Sequence, residues 1–145
     1  MKKPKKFFVE GPISPDFIAN SIAKHSIKTD IGAHQIFLGQ VRADILDGQK
    51  VSAIEYSAYE TMAENVFHDI RETTFARFDL SCMHIYHSLG EVKAGEICLF
   101  VFVSSKHRDE CYKAIHELVE AIKVKVPIFG KEIFEDGAHT WKLNT

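Results

Sequence analysis

The sequence predicts an α+β domain with a mostly antiparallel sheet and packed helices. Two observations carry that expectation. Five apolar stretches of strand length and three helical stretches follow one another in the order βαββαββα, so strands come in adjacent pairs rather than in strict alternation with helices. The 145 residues also show no internal repeat and no linker composition, which makes 1–145 a single domain.

Met1-Lys2-Lys3-Pro4-Lys5-Lys6 reads as a flexible basic tail, and Phe7-Phe8-Val9 as a short apolar start. Ser14-Pro15-Asp16 then opens a helix, with a hydroxyl to cap it, proline at its first position and an acid in its first turn. That helix should reach about His25, with Phe17, Ile18 and Ile22 inward. Strands over Ala33 to Val41 and Val51 to Tyr59 flank the Asp47-Gly48 turn signal and suggest a hairpin with Arg42 at its mouth. Met62, Val66, Phe67, Ile70, Thr74 and Phe78 recur at helical spacing and mark a helix over Glu60 to Phe78. Strands follow over Cys82 to Ser88 and Glu96 to Ser104, set apart by turns at Gly90 and Gly95. Ile97 to Val103 lacks alternation, so its strand should be covered on both faces and central in the sheet. The last helix, about Arg108 to Lys125, puts Cys111, Ile115, Leu118 and Ile122 on one stripe, with Ala114 and Ala121 beside it. Pro127 ends it, because proline disfavours helical geometry at Val126. The stretch from Ile128 to Trp141 carries Phe129, Ile133, Phe134 and Trp141, too apolar for a free end.

Charge and composition exclude several classes. With 18 Lys+Arg against 20 Asp+Glu the net charge is −2, without the basic excess of a nucleic-acid coat. The longest wholly apolar run, Ile97 to Val103, falls far short of the roughly 20 residues of a membrane helix. No long apolar stretch and small-residue cleavage site follow the basic start, so no secretory signal is expected. Cys82, Cys98 and Cys111 are odd in number, lack CxxC spacing and sit among apolar residues, which fits buried reduced thiols in a cytoplasmic protein.

Four features are candidates for chemistry. His107-Arg108 sits between a buried strand and a helix start, where free backbone N–H groups favour an anion, although a solvated pair there is also ordinary. Arg42 ends an apolar strand near Gly32 and Gly39, which would let a ligand approach the backbone closely; surface arginines at strand ends are common. Lys123, Lys125 and Lys131 surround Pro127, where cations either complement the helix dipole or depress one another's pKa to supply a neutral base. Eight histidines invite a metal reading, but His84 and His87 fall on opposite faces of a strand, and His116 with Glu120 lacks a third ligand of convincing spacing. No metal is expected.

Four motifs in order carry a resemblance. They are Phe37-Leu38-Gly39-Gln40-Val41-Arg42, Ser88-Leu89-Gly90-Glu91-Val92, Ser104-Ser105-Lys106-His107-Arg108, and Lys123-Val124-Lys125-Val126-Pro127-Ile128-Phe129-Gly130-Lys131-Glu132. Together they resemble the large, catalytic subunit family of molybdopterin synthase over roughly Gly32 to Trp141. The resemblance implies an α/β-hammerhead-like fold and a homodimer within a heterotetramer. Each protomer would bind a ubiquitin-like small subunit whose Gly-Gly tail ends in a thiocarboxylate. Sulfur would pass from it to cyclic pyranopterin monophosphate, opening the cyclic phosphate and building the molybdopterin dithiolene, with no cofactor bound by this chain. Substrate contacts carried over by the resemblance fall on Gln40, Val41, Arg42, His107, Arg108, Lys123, Gly130, Lys131 and Glu132, with Lys123 and Lys131 catalytic. The family has two basic residues between the aromatic and the glutamate, whereas here Gly130 takes the first position. Lys131 could replace it only if the backbone turns its side chain inward, since a one-residue shift in a strand reverses the face; Lys125 is another stand-in.

Geometry adds an independent step. A straight helix places Arg108 and Lys123 roughly 22 Å apart, far longer than a pterin monophosphate. Two subunits about a twofold axis could bring the anion-binding end of one helix to the lysine end of the other. In that arrangement Arg42, His107 and Arg108 hold phosphate and pterin, Lys123, partly buried among cations, moves protons, and Lys131 with Glu132 meets developing negative charge. The sulfur belongs to the partner, so no cysteine of this chain is required. Two other classes compete: a non-catalytic dimeric module for a ubiquitin-like protein or phosphorylated ligand, and a histidine-based metal-binding domain.

Overall fold

The computed structural model describes residues 7–143, so the expected basic tail at 1–6 lies outside the described residues. In chain order the elements are β1 (Phe8–Glu10), α1 (Pro15–Lys24) with a 3-10 turn (His25–Ile27), β2 (Ala33–Gln40), β3 (Ile45–Leu46), β4 (Gln49–Ala58), α2 (Glu60–Arg77), β5 (Cys82–Lys93), β6 (Ile97–Ser105), α3 (Arg108–Lys125), β7 (Ile128–Phe134) and β8 (His139–Trp141). The sheet order is β2-β6-β5-β4-β7-β8, with β1 beside β5 and β3 beside β4. Only the β1–β5 pair is parallel among those described. The α+β architecture is the one the sequence predicts.

Burial explains why β6 reads as a continuous apolar run. Phe100 and Phe102 point to one face, where they meet Phe17 and Ile18 of α1. Leu99, Val101 and Val103 point to the other, into the larger core with Phe67 and Ile70 of α2 and Cys111, Leu118 and Ile122 of α3. Period-two alternation thus serves two apolar layers instead of one. The strand is interior, but it is second from the β2 edge and not central as expected.

All three helices start within one residue of their expected positions. Ser14 Oγ accepts from Phe17 N–H at 3.1 Å, and Val126 adopts an extended conformation ahead of Pro127 (φ −83°, ψ 128°). Inward faces differ in detail. Ile22 is exposed, and α1 turns Ser21 with its neighbour His25 inward instead; on α2, Ala63 replaces the exposed Met62.

Three expectations about connectivity fail. The expected hairpin does not form, because β2 pairs with β6 and β4 pairs with β5 and β7; Asp47-Gly48 turns the chain only between β3 and β4. Gly90 is not a turn between strands. It lies within β5 at φ 84°, where the strand passes from pairing with β6 to pairing with β4. Finally, Gly32 and Gly39 admit the chain's own atoms and not a ligand: a Cβ on Gly32 would lie 2.1 Å from the Lys106 carbonyl oxygen, and one on Gly39 3.1 Å from Leu99.

Candidate active site

The break after α3 builds one end of the site. Once Val126 leaves helical geometry, Ile128 starts β7 beside β4, and the Lys123 side of the helix overlooks the sheet. A cavity of about 370 Å³ forms there, lined by Lys123, His87, Tyr56, Gly130, Trp141 and Lys142. A second, of about 510 Å³, is lined by Arg42, Asp44, Glu132, Trp141 and Lys142. Trp141 and Lys142 belong to both, so the two hollows adjoin across the end of β8.

Strand register decides which candidates meet. Tyr56 of β4 lies opposite Gly130 of β7, and Lys142 N–H donates to Gly130 C=O at 2.8 Å, so the three share one face in a row. A Cβ on Gly130 would stand 3.0 Å from Ile54 Cγ2 and 3.4 Å from the Tyr56 ring, and 3.7 Å from Lys142 Cβ. A larger residue would crowd this row, while the Lys142 side chain departs from nearly the same point. Lys131, one residue on, faces the other way and pairs with Glu55 at 3.5 Å. Lys125 lines a different hollow, between α2 and α3, with Arg77 and Glu117. The cation beside Gly130 is therefore Lys142. Sequence reasoning missed it, although Asp136-Gly137 between apolar residues was a legible hairpin signal that folds residue 142 back onto 130.

The floor is desolvated. His87 is buried and lowered to about 4, chiefly by burial and also by the nearby Lys123 charge, against a hydrogen bond to the Ser88 carbonyl that favours the proton. Tyr56 packs edge-on against it at 5.0 Å, and its phenol is raised by burial first, then by Cys98 and Glu132. Above that floor Lys123 is exposed in the single chain, not partly buried as expected, and Arg42 is exposed beside Asp44 at 3.4 Å. Of the other candidates, Gln40 is exposed at the end of β2, Val41 is buried with its backbone bonded to Glu96 and Gly95, and Glu132 is buried.

His107 and Arg108 stand apart. Because α3 is unbroken, they border a separate hollow with Gly32, Lys106 and Tyr112, roughly 22 Å from Lys123 along the helix. Asp109 and Glu110 already occupy the first turn and oppose an anion there. His84 and His87 do lie on opposite faces of β5: His84 faces His25 and Phe102, His87 faces Tyr56. The three cysteines are buried and form no disulfide, and Cys98 lies against Tyr56 beneath the cavity.

Two adjoining cavities with an aromatic wall and lysine and arginine at their rims give an α+β protein of a class whose site suits an anionic, ring-bearing ligand. The MoaE protein family model matches residues 9–125, and the chain belongs to that family. A molybdopterin synthase catalytic subunit of Pyrococcus abyssi is 34% identical over 94% of this chain and 85% of its own length. The human one is 36% identical over 78% of this chain, which spans 59% of it. The crystal structure of molybdopterin synthase from Staphylococcus aureus matches 98% of this chain and 99% of its own, at a TM-score of 0.82 and 30% identity. A two-subunit molybdopterin-converting factor complex from Helicobacter pylori shares the fold at a TM-score of 0.79 and 17% identity.

Proposed function

We propose that this chain is the catalytic subunit of a molybdopterin synthase, moving sulfur from the thiocarboxylated tail of a ubiquitin-like small subunit to cyclic pyranopterin monophosphate. The observation that carries the reading is the pair of adjoining cavities, one bordered by Lys123 and Lys142 at the end of α3 and the other by Lys142 and Arg42. Both reactants are anions, a thiocarboxylate and a phosphate ester, and cations held in a shaped hollow attract and orient them. Arg42 binds the phosphate, a task suited to a planar fork that stays charged. Trp141 and Phe129 offer flat apolar walls to the pterin, and the partner's thin tail approaches Lys123.

In this reading the partner's thiocarboxylate sulfur bonds to a pterin side-chain carbon as the bond from that carbon to the cyclic phosphate oxygen breaks. Water then cleaves the resulting thioester, leaving sulfur on the pterin and a carboxylate on the partner. A second thiocarboxylate supplies the second sulfur, and Lys123 moves the protons. Lys142 meets the negative charge that develops on the leaving phosphate oxygen, the task the sequence assigned to Lys131. Lys131, paired with Glu55, adds positive charge from farther away, Glu132 lines the Arg42 side, and Gln40 and Val41 lead the chain into Arg42. His107 and Arg108 reach the site from a second protomer, because one unbroken helix keeps them from their own Lys123. The working assembly is a homodimer within a heterotetramer, and three buried cysteines without a disulfide support a cytoplasmic setting. No helix of the described residues is long and apolar enough to cross a membrane.

Incubating the chain with the cyclic precursor and thiocarboxylated small subunit, then weighing the pterin by mass spectrometry, tests the reading. A product carrying two sulfurs is expected. Binding of both reactants with an unchanged pterin mass identifies a non-catalytic module instead.

A further inference from the structure

On the sheet face away from those cavities, three potential metal ligands converge from distant parts of the chain. His25 comes from the 3-10 turn after α1, and Cys82 and His84 from the start of β5. Their ligating atoms all lie within 4.8 Å of one another, with His25 and Cys82 buried. We infer that His25, Cys82 and His84 form a binding site for a zinc-type divalent ion, separate from the sulfur-transfer site.

The ligand chemistry favours this class of ion. An N₂S set with one thiolate suits Zn²⁺ and its neighbours, not Mg²⁺ or Ca²⁺, which take oxygen ligands. The two imidazole Nε2 atoms are 3.1 Å apart. Two nitrogens bound tetrahedrally to zinc at their usual distance stand about 3.3 Å apart, so this edge of a coordination shell needs almost no rearrangement. Cys82 must move in by about an ångström, which the first residue of a strand can do.

The surroundings orient the ligands. His25 Nδ1–H donates to the Ser21 carbonyl at 2.7 Å, which fixes the tautomer and turns the Nε2 lone pair toward His84. Phe102 stacks on the His25 ring at 4.7 Å and holds its plane. Lys28 Nζ donates to Cys82 Sγ at 2.9 Å, and from its exposed position it can remain an outer hydrogen-bond partner of coordinated sulfur. When no ion is bound, His84 Nε2–H donates to His25 Nε2. A metal takes the place of that proton and leaves a fourth position for water.

Such an ion would tie the turn after α1 to β5, segments 59 residues apart, and stabilise the native chain. The test uses the full chain stripped with chelator. Titration with Zn²⁺ against a chromophoric competitor should give one ion per chain and a raised Tm. Co²⁺ should produce a sulfur-to-metal charge-transfer band that disappears in Cys82→Ser and persists in Cys98→Ser and Cys111→Ser. His84→Gln, at a half-buried position, should weaken Zn²⁺ binding at least about tenfold while its metal-free Tm stays near the parent's. Less than one equivalent bound at micromolar Zn²⁺, or a Co²⁺ band that survives Cys82→Ser, overturns the site.

Discussion

The two ends of α3 look alike in sequence and differ in structure. Each carries basic residues beside an apolar strand, His107-Arg108 at the start and Lys123 with Lys125 near the finish. At the start, Asp109 and Glu110 counter the charge, and the hollow opens onto Lys106 and Tyr112. At the finish, Pro127 diverts the chain into β7, a hairpin returns Lys142, and buried His87 with half-buried Tyr56 forms the floor. Charge alone therefore does not make a site; the cations need a floor that excludes water and a second chain segment that limits where they point. The N-terminal end lacks that enclosure within one protomer, and in the proposed assembly a second copy would supply it.

Removing the cation above the His87 floor should have the largest effect. Lys123→Ala is expected to lower turnover by about 10²-fold or more, the usual scale for a group that transfers protons, with an unchanged far-UV spectrum. Parent-like conversion of the cyclic precursor would remove Lys123 from the centre of the reaction. The two ends can then be set against each other. If Arg108 of one protomer completes the Lys123 site of the other, an inactive Lys123→Ala chain refolded with an inactive Arg108→Ala chain regains about a quarter of parental activity, since random pairing leaves one intact site in half the dimers. No recovery would place both residues in one protomer's site, and an Arg108→Ala chain that is active by itself would exclude Arg108 altogether.

Smaller losses sharpen the comparison. Lys142→Ala should reduce kcat/KM by about 10- to 100-fold through kcat, the scale of one charge-assisted hydrogen bond, whereas Lys125→Ala and Lys131→Ala should stay within a few-fold of the parent. An unaffected Lys142→Ala would leave the position beside Gly130 without a cation of consequence. Arg42→Ala should weaken binding of the cyclic precursor about tenfold in calorimetry, with kcat changed less. Unaltered affinity would rule Arg42 out as the phosphate ligand.

What was legible in the sequence follows the range of the forces. Helix limits depend on neighbours three or four residues away and on local caps, so Ser14, Pro15 and Pro127 announced them. Strand pairing depends on which distant strand buries which face. The Asp47-Gly48 turn therefore suggested β2 against β4, while Phe100 and Phe102 required β2 against β6. The site divided along the same line. Lys123, Gly130 and Glu132 lie within one motif and could be carried over by resemblance, but Lys142 arrives through β8. His25 meets His84 only through the fold, and no spacing rule encodes that meeting.

His87 gives the smallest effect and tests the floor itself. Its imidazole titrates near 4 in the folded chain and near 6.5 when unfolded, so between those values the unfolded chain binds more protons. Stability from this group is thus fully present above about pH 6.5 and drains away as pH falls toward 4, by on the order of 3 kcal/mol. His87→Gln, which cannot take up the proton, should flatten that part of the curve in urea unfolding at a series of pH values. Lys123→Ala should flatten it slightly, because the lysine charge contributes only a minor part of the depression and burial most of it. A parent curve already flat between pH 6.5 and 4 would mean that the imidazole is hydrated, and the floor beneath Lys123 would then be as wet as the hollow at the opposite end of the helix.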